Sequence, residues 1–195
     1  MVEIEAKFLN INIAEIQKKL RSFGYTCSHP RRLMTRATLH APAERRNIHE
    51  WWRVRNEGDG RITMTWKKTV SNTVDGTQEL EIEVSDFETA IKILAQTGLM
   101  VVARQETARE TWQRGNVEVV IDEWPGLNPF VEIESADTPT TERAAQELGF
   151  NMQDAVFGGV GNVYQIELGY VPEVVNNWPV ITFDNPPTPL RSVNQ

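Results

Sequence analysis

Residues 2–8, VEIEAKF, set Glu3, Glu5 and Lys7 alternately with Ile4, Ala6 and Phe8. In a β-strand successive side chains take opposite faces, so the three charges share one side and the apolar residues the other. An antiparallel sheet with one wet face would carry such a strand as ordinary surface. The tripeptide Glu-Ile-Glu returns, however, at 81–83 and 132–134, and each copy leads into an amphipathic helical pattern. Residues 13–23 put Ile13, Ile16, Leu20 and Phe23 on one face, with Asn12 as N-cap, Glu15 at the capping-box position and Gly24 as the stop. Residues 87–97 repeat this design with Ser85, Glu88 and Gly98, and residues 139–148 follow Thr138 and Pro139 and end at Gly149. The intervals between copies are too uneven for a solenoid.

Between the helices the chain alternates as strands. "WWRVRN" (51–56) and "RITMTWKK" (61–68) flank the hairpin signal "EGDG", and "QELEIEVS" (78–85) follows. "QETARETWQR" (105–114), "VEVVIDEW" (117–124) and "FVEIES" (130–135) are joined by short turns, and "RRLMTRATLHAP" (31–42) reads less clearly as another strand. Eight strands connected mostly to their neighbours predict an α+β chain built on an antiparallel barrel or strongly curved sheet. After residue 168 the composition shifts to Pro, Asn and Val, and 169–195 reads as an irregular tail.

Bulk properties bound the function. A length of 195 residues suits one domain with a real core, and 40% hydrophobic with 24% charged residues is a globular balance. A net charge of −7 argues against a nucleic-acid polymer as partner and for no membrane attraction. The single cysteine, Cys27, excludes a disulfide framework and any CxxC metal site. No basic segment precedes an apolar run at the N-terminus and no stretch is long enough to span a bilayer, so the expected location is the cytoplasm. His29, His40 and His49 lack metal-ligand spacing, "FGGVGN" (157–162) lacks the GK[ST] of a P-loop, and there is no GxSxG. The six tryptophans mostly share the apolar parity; Trp51 and Trp178 fit no face.

Parity carries the argument further. Arg53 and Arg55 oppose Trp52 and Val54; Arg61, Thr63, Thr65 and Lys67 oppose Ile62, Met64 and Trp66. Glu79, Glu81 and Glu83 oppose Leu80, Ile82 and Val84, and Arg109 sits with Gln105, Thr107 and Thr111. Glu118 and Asp122 oppose Val117, Val119 and Ile121, and Glu132 and Glu134 oppose Val131 and Ile133. Nearly every strand therefore has one apolar face and one bearing charges of both signs. Amphipathic helices need apolar surface to cover, which favours charges lining a barrel interior over charges outside. A half-open sheet with helices on one side and water on the other also satisfies the pattern. Carboxylates two residues apart on several strands suit a hard cation such as Mg²⁺ or Mn²⁺, and arginine and lysine beside them suit phosphate oxygens. Together they imply a ligand with several phosphates.

"EIEAKF" resembles the ExExK signature of the CYTH superfamily, the triphosphate tunnel metalloenzymes that include class IV adenylyl cyclases and thiamine triphosphatases. The likeness continues in order through "WWRVR", "TMTWKK", "ELEIEV", "RETW", "VVIDEWPGLNPFVEIE" and "GNVYQI", over roughly residues 1–168. The resemblance implies an eight-stranded antiparallel tunnel that binds a triphosphate through basic residues and one or two divalent cations. It implies Glu3, Glu5, Glu132 and Glu134 as ligands of Mg²⁺ or Mn²⁺, and Lys7, Arg53, Arg55, Lys67 and Arg109 as phosphate contacts. Glu81, Glu83 and Asp122 fall at acidic tunnel positions that would serve a second metal, position the attacking water, or hold a tunnel arginine. Thr107 stands where relatives often carry a basic residue, and after Tyr164 the tail offers only Arg191; Arg36 is a candidate to supply the missing charge. The expected activity is metal-dependent hydrolysis of tripolyphosphate or a small organic triphosphate, with cyclisation of ATP or non-catalytic polyphosphate binding as alternatives. A monomer or homodimer is expected.

Overall fold

The computed structural model describes residues 4–42, 50–69 and 77–190. Its strands are β1 (Ile4–Phe8), β2 (Thr26–His40), β3 (Glu50–Asn56), β4 (Ile62–Thr69), β5 (Thr77–Glu83), β6 (Met100–Arg114), β7 (Val117–Glu123), β8 (Phe130–Ser135) and β9 (Val180–Ile181). The helices are α1 (Ile13–Ser22), α2 (Phe87–Gln96), α3 (Thr138–Leu148), α4 (Gly161–Leu168) and α5 (Pro172–Val175). One sheet contains every strand, in the order β1-β8-β7-β6-β2-β3-β4-β5, all antiparallel. β9 adds in parallel to β6, at Arg104 and Gln105, beyond the point where β7 ends.

The three Glu-Ile-Glu strands do precede α1, α2 and α3, and each helix covers the apolar side of the sheet. Asn12 caps α1 by accepting from Glu15 N, and Asp137 caps α3 by accepting from Thr140 N, with Pro139 in its first turn. α2 corrects the expectation at its start: the cap is Asp86, which accepts from Thr89 N, and not Ser85. α1 and α3 bury Ile16, Leu20, Ala144, Ala145 and Leu148 against Ala6, Phe8, Val119, Ile121, Val131 and Ile133. α2 buries Ala90, Ile91 and Leu94 against Ala37, Leu39 and Val54. The apolar parity thus faces the helices, leaving the charged parity on the other side.

The closed eight-stranded barrel expected from the sequence is not formed among the described residues: β1 and β5 remain unpaired with each other. The outer edge of β1 is already engaged, because Lys7 N donates to Val156 O (3.0 Å) and Val156 N to Lys7 O (2.9 Å). The sheet nonetheless curls strongly. Glu81 on β5 and Glu118 on β7 line one cavity of about 270 Å³, although in a flat sheet their strands would lie roughly 24 Å apart.

The expected irregular tail is partly ordered structure. Val163, Tyr164 and Leu168 of α4, Val175 of α5 and Ile181 of β9 pack on Trp124 and Phe130. Trp178 stacks edge-on against Tyr164 and Tyr170, which gives it the place its sequence context withheld. Trp124 and Phe130 share the parity of Asp122 and Glu132, so this apolar cluster seals one end of the charged face.

Candidate functional site

Strand register places the charged residues in rows across the concave face. Glu5 lies opposite Glu134, and Glu134 opposite Glu118; one step along, Lys7 lies opposite Glu132. Arg109 pairs across with Asp122 on one side and Arg32 on the other. Arg36 lies between Gln105 of β6 and Arg55 of β3. Arg53, Thr65 and Glu81 form a row, as do Trp51, Lys67 and Glu79, and Arg55, Thr63 and Glu83. Every described residue expected at the site therefore faces the same way. Glu3 and Arg191, together with His49, lie outside the described residues.

Within that face the charges form connected groups. Lys7 Nζ contacts Glu5, lies 3.3 Å from Glu132 Oε1, and donates to Gly158 O at 2.7 Å. Arg109 makes a two-pronged pair with Asp122 (2.8 and 2.6 Å) and reaches Glu132 at 3.0 Å. Arg53 lies 3.3 Å from Glu81 and 3.7 Å from Glu79, and Lys67 meets Glu79 at 2.5 Å. Arg55 pairs with the buried Glu57 at 2.6 Å, and Thr63 donates to the same carboxylate. Glu83 is exposed and among the described residues makes no ion pair, so it is the expected site residue least joined to the rest.

Arg36 differs from its neighbours. Its Nε donates to Gln105 Oε1 at 2.6 Å and its guanidinium lies over the Trp124 ring, 4.3 Å from the centroid. Among the described residues no carboxylate makes an ion pair with it. Burial, with Arg53, Arg55 and Arg109 close by, pulls its pKa down to about 9. Burial and Arg55 likewise pull Arg53 down to about 10, and burial and Arg53 lower Lys67. Arg109 moves the other way: burial opposes its charge, but Asp122 and Glu132 outweigh it. Burial raises Asp122 despite Arg109, whereas at Glu132 the nearby Lys7 and Arg109 overcome burial and hold the carboxyl low.

The donor set fits a hard divalent cation. Glu5, Glu134 and Glu118 stand directly opposite one another on three adjacent strands, where a cation would offset their mutual repulsion, although Glu5 here contacts Lys7 and Glu118 accepts from Gln113. All their donors are carboxylate oxygens, the ligands Mg²⁺ and Mn²⁺ prefer. Among the described residues no three acidic or imidazole groups converge on one point; Glu5 and Glu132 turn instead to Lys7 and Arg109.

Sequence reasoning missed Arg32 and Glu57. The parity of β2 would have found Arg32, but a register shift between His29 and Arg32 breaks the alternation there. Glu57 belongs to the hairpin turn, where period two carries no information.

A family model for the CYTH domain matches residues 1–155. The chain belongs to the CYTH domain family. Over 99 residues it is 28% identical to "Putative adenylate cyclase MJ0240" of Methanocaldococcus jannaschii, a match that spans 50% of this chain and 56% of that protein. Two solved CYTH-like structures share the fold at lower identity. A protein from Vibrio parahaemolyticus titled a "putative adenylate cyclase" superposes with a TM-score of 0.72, at 13% identity, over 85% of this chain and 98% of its own. A Hippeastrum protein, titled as a "putative adenylyl cyclase" that "reveals a dominant triphophatase activity", superposes at 0.58, with 11% identity, over 87% and 96%. The sequence resemblance to CYTH proteins is thereby borne out. Among the described residues no helix is long and apolar enough to cross a membrane.

Proposed function

We propose that this CYTH protein hydrolyses a linear triphosphate, inorganic tripolyphosphate or a small organic triphosphate, with a divalent cation. The observation that carries the reading is Arg36, a guanidinium held on Gln105 and Trp124 with three further arginines near it and, among the described residues, no carboxylate ion pair. A half-buried charge of this kind, crowded by other guanidiniums, is stabilised by an anion that joins it. A polyphosphate is the ligand whose charge spacing answers several guanidiniums at once.

Glu5, Glu132 and Glu134, with Glu3 ahead of them, would hold Mg²⁺ or Mn²⁺, which when bound neutralises charge on phosphate oxygens. Lys7, Arg36, Arg53, Arg55, Lys67 and Arg109 bind and align the phosphate chain. Asp122 fixes the plane of Arg109, and Glu81 with Thr65 fixes Arg53. Fixed donors of this kind stabilise charge as it develops on the transferring phosphoryl group, the main source of acceleration in such reactions. Water is the nucleophile, and the exposed Glu83 and buried Asp122 are the carboxylates available to orient it.

The names carried by the Methanocaldococcus and Vibrio relatives favour a second reading, cyclisation of ATP. Incubation with tripolyphosphate and with ATP, each with Mg²⁺ or Mn²⁺, separates the two. Orthophosphate release supports hydrolysis; cyclic AMP with pyrophosphate supports cyclisation; binding without turnover leaves a polyphosphate-binding module. Glu132→Gln and Glu5→Gln are expected to abolish turnover while the circular dichroism of the fold persists. Unchanged turnover in both would sink the site assignment.

A further inference from the structure

Among the described residues the charged face has an apolar cluster at one end and a mouth open to solvent. The cluster is the one around Trp124, Phe130 and Tyr164, on which Arg36 rests. The mouth is the cavity of about 270 Å³, which runs from Arg55 and Arg109 out to His29, Arg32 and Arg61. Arg61 and Gln113 on its wall are exposed, so the cavity opens to solvent there. A ligand whose inner phosphates meet Arg55 and Arg109 can carry a further group out past Arg32 through this cavity.

The wall indicates what that group is. Among the described residues it contains no tryptophan, tyrosine, phenylalanine or aliphatic side chain, and its one aromatic ring is His29. Trp52 packs toward α2 and Trp112 toward α1 and α3, Trp124 lies at the sealed end, and Trp51 sits opposite Lys67 at the far end of β3 from Arg55. A nucleobase would find in the mouth only the His29 ring, held beside Asp59, for the stacking that usually contributes about 1–3 kcal/mol per base. Most charges in the mouth are matched: Arg55 pairs with Glu57, Arg61 with Asp59 (2.8 Å), and His29 Nε2 lies 3.6 Å from Asp59. Among the described residues Arg32 is the exception among the cations, and Glu118, which accepts from Gln113 Nε2, among the carboxylates. Arg32 Nε donates to Glu57 O at 2.8 Å and its Nη1 to Thr111 Oγ1 at 3.4 Å, and among the described residues no carboxylate pairs with it. Both contacts hold the guanidinium still without neutralising it. The hairpin keeps this geometry because Gly58, at φ +74°, packs so close to Leu33 O that a Cβ there would approach to 2.2 Å.

We propose that Arg32 forms an outer anion subsite at the mouth that takes the fourth phosphate of an inorganic polyphosphate, so that the site prefers chains longer than three. This rests on the reading of the inner face as a triphosphate site and extends it outward. A charge-assisted contact to the added phosphate contributes about 1.5–3 kcal/mol, roughly ten- to a hundredfold in affinity.

The test is calorimetric titration with tripolyphosphate and with tetrapolyphosphate, with and without Mg²⁺, on the wild type, Arg32→Gln and Arg32→Lys. The wild type is expected to bind tetrapolyphosphate at least tenfold more tightly. Arg32→Gln removes that preference while tripolyphosphate affinity stays within about twofold, and Arg32→Lys restores part of it. Equal loss on both ligands, or a wild type that binds both chains alike, overturns the outer subsite and leaves the triphosphate reading standing. A wild type that binds neither overturns both. Should Arg32→Gln fail to fold, the wild-type ratio and Arg32→Lys decide the matter alone.

Discussion

Arg36 is the residue at which stability and binding are most opposed. Its charge is half-buried beside Arg53, Arg55 and Arg109, and Gln105 and Trp124 offer a neutral acceptor and a ring face. Replacing an uncompensated interior charge by an apolar side chain of similar length is often neutral or stabilising. Arg36→Met should therefore leave thermal stability unchanged or raised while weakening tripolyphosphate binding about ten- to a hundredfold. A loss of stability without a loss of affinity would show that Arg36 serves packing. The opposite sign belongs to Asp122, 1% exposed and doubly bonded to Arg109. Asp122→Ala takes two of the carboxylate bonds from the Arg109 guanidinium, leaving it the Glu132 contact, and should destabilise by about 3 kcal/mol in denaturant unfolding. Most site residues were legible at this scale because period two assigns a face without any knowledge of neighbours: Lys7, Arg53, Arg109 and Glu132 lie where alternation puts them. Which charges pair with which was not legible, since that depends on register between strands distant in sequence.

The helices show how far local chemistry reaches. Asn12, Pro139 and Gly149 act as their residue types predict, Gly149 adopting φ 85° at the end of α3. Asn12→Ala should cost about 1 kcal/mol of stability. At α2 the sequence offers two adjacent capping residues, Ser85 and Asp86, and only the backbone decides that Asp86 points at Thr89 N. α4 escaped notice because its N-cap, Val160, gives no side-chain hydrogen bond and its apolar residues follow no clear stripe. The caps also carry a pH signature. Hydrogen bonds from Thr89 and Thr140 hold Asp86 and Asp137 below the ordinary aspartate value. A carboxylate depressed in the folded state contributes stability above its unfolded pKa, and that contribution disappears as pH falls through the folded value. Denaturation midpoints measured downward from about pH 5 should fall less in the Asp86→Asn, Asp137→Asn double variant than in the wild type. Parallel acid limbs would show that the caps do not titrate with folding.

At the scale of the molecule, the curl of the sheet brings like charges together that the chain keeps far apart. Glu5, Glu134 and Glu118 meet across three strands, and Arg36, Arg53, Arg55 and Arg109 across three others. Val156 engages the free edge of β1 and the C-terminal helices seal one end, so these charges are held in a curl with a mouth open to solvent. Helices on the apolar side were predictable from amphipathicity; that β1 pairs with Val156 and not with β5 was not, because a single bridging residue leaves no pattern. The consequence is that the unliganded fold carries repulsion which a polyanion and a divalent cation together would relieve. Any ligand selective for the native state stabilises it by mass action, about 2.7 kcal/mol at a hundredfold excess over its Kd. For a chain of this size that corresponds to a rise in Tm of roughly 5–10 °C. Tripolyphosphate with Mg²⁺ should produce this rise, each alone a smaller one, and sulfate at matched ionic strength less than either. Screening by salt alone would act on all these charges alike, so an equal shift with sulfate would assign the effect to general electrostatics and remove the case for a built polyphosphate site.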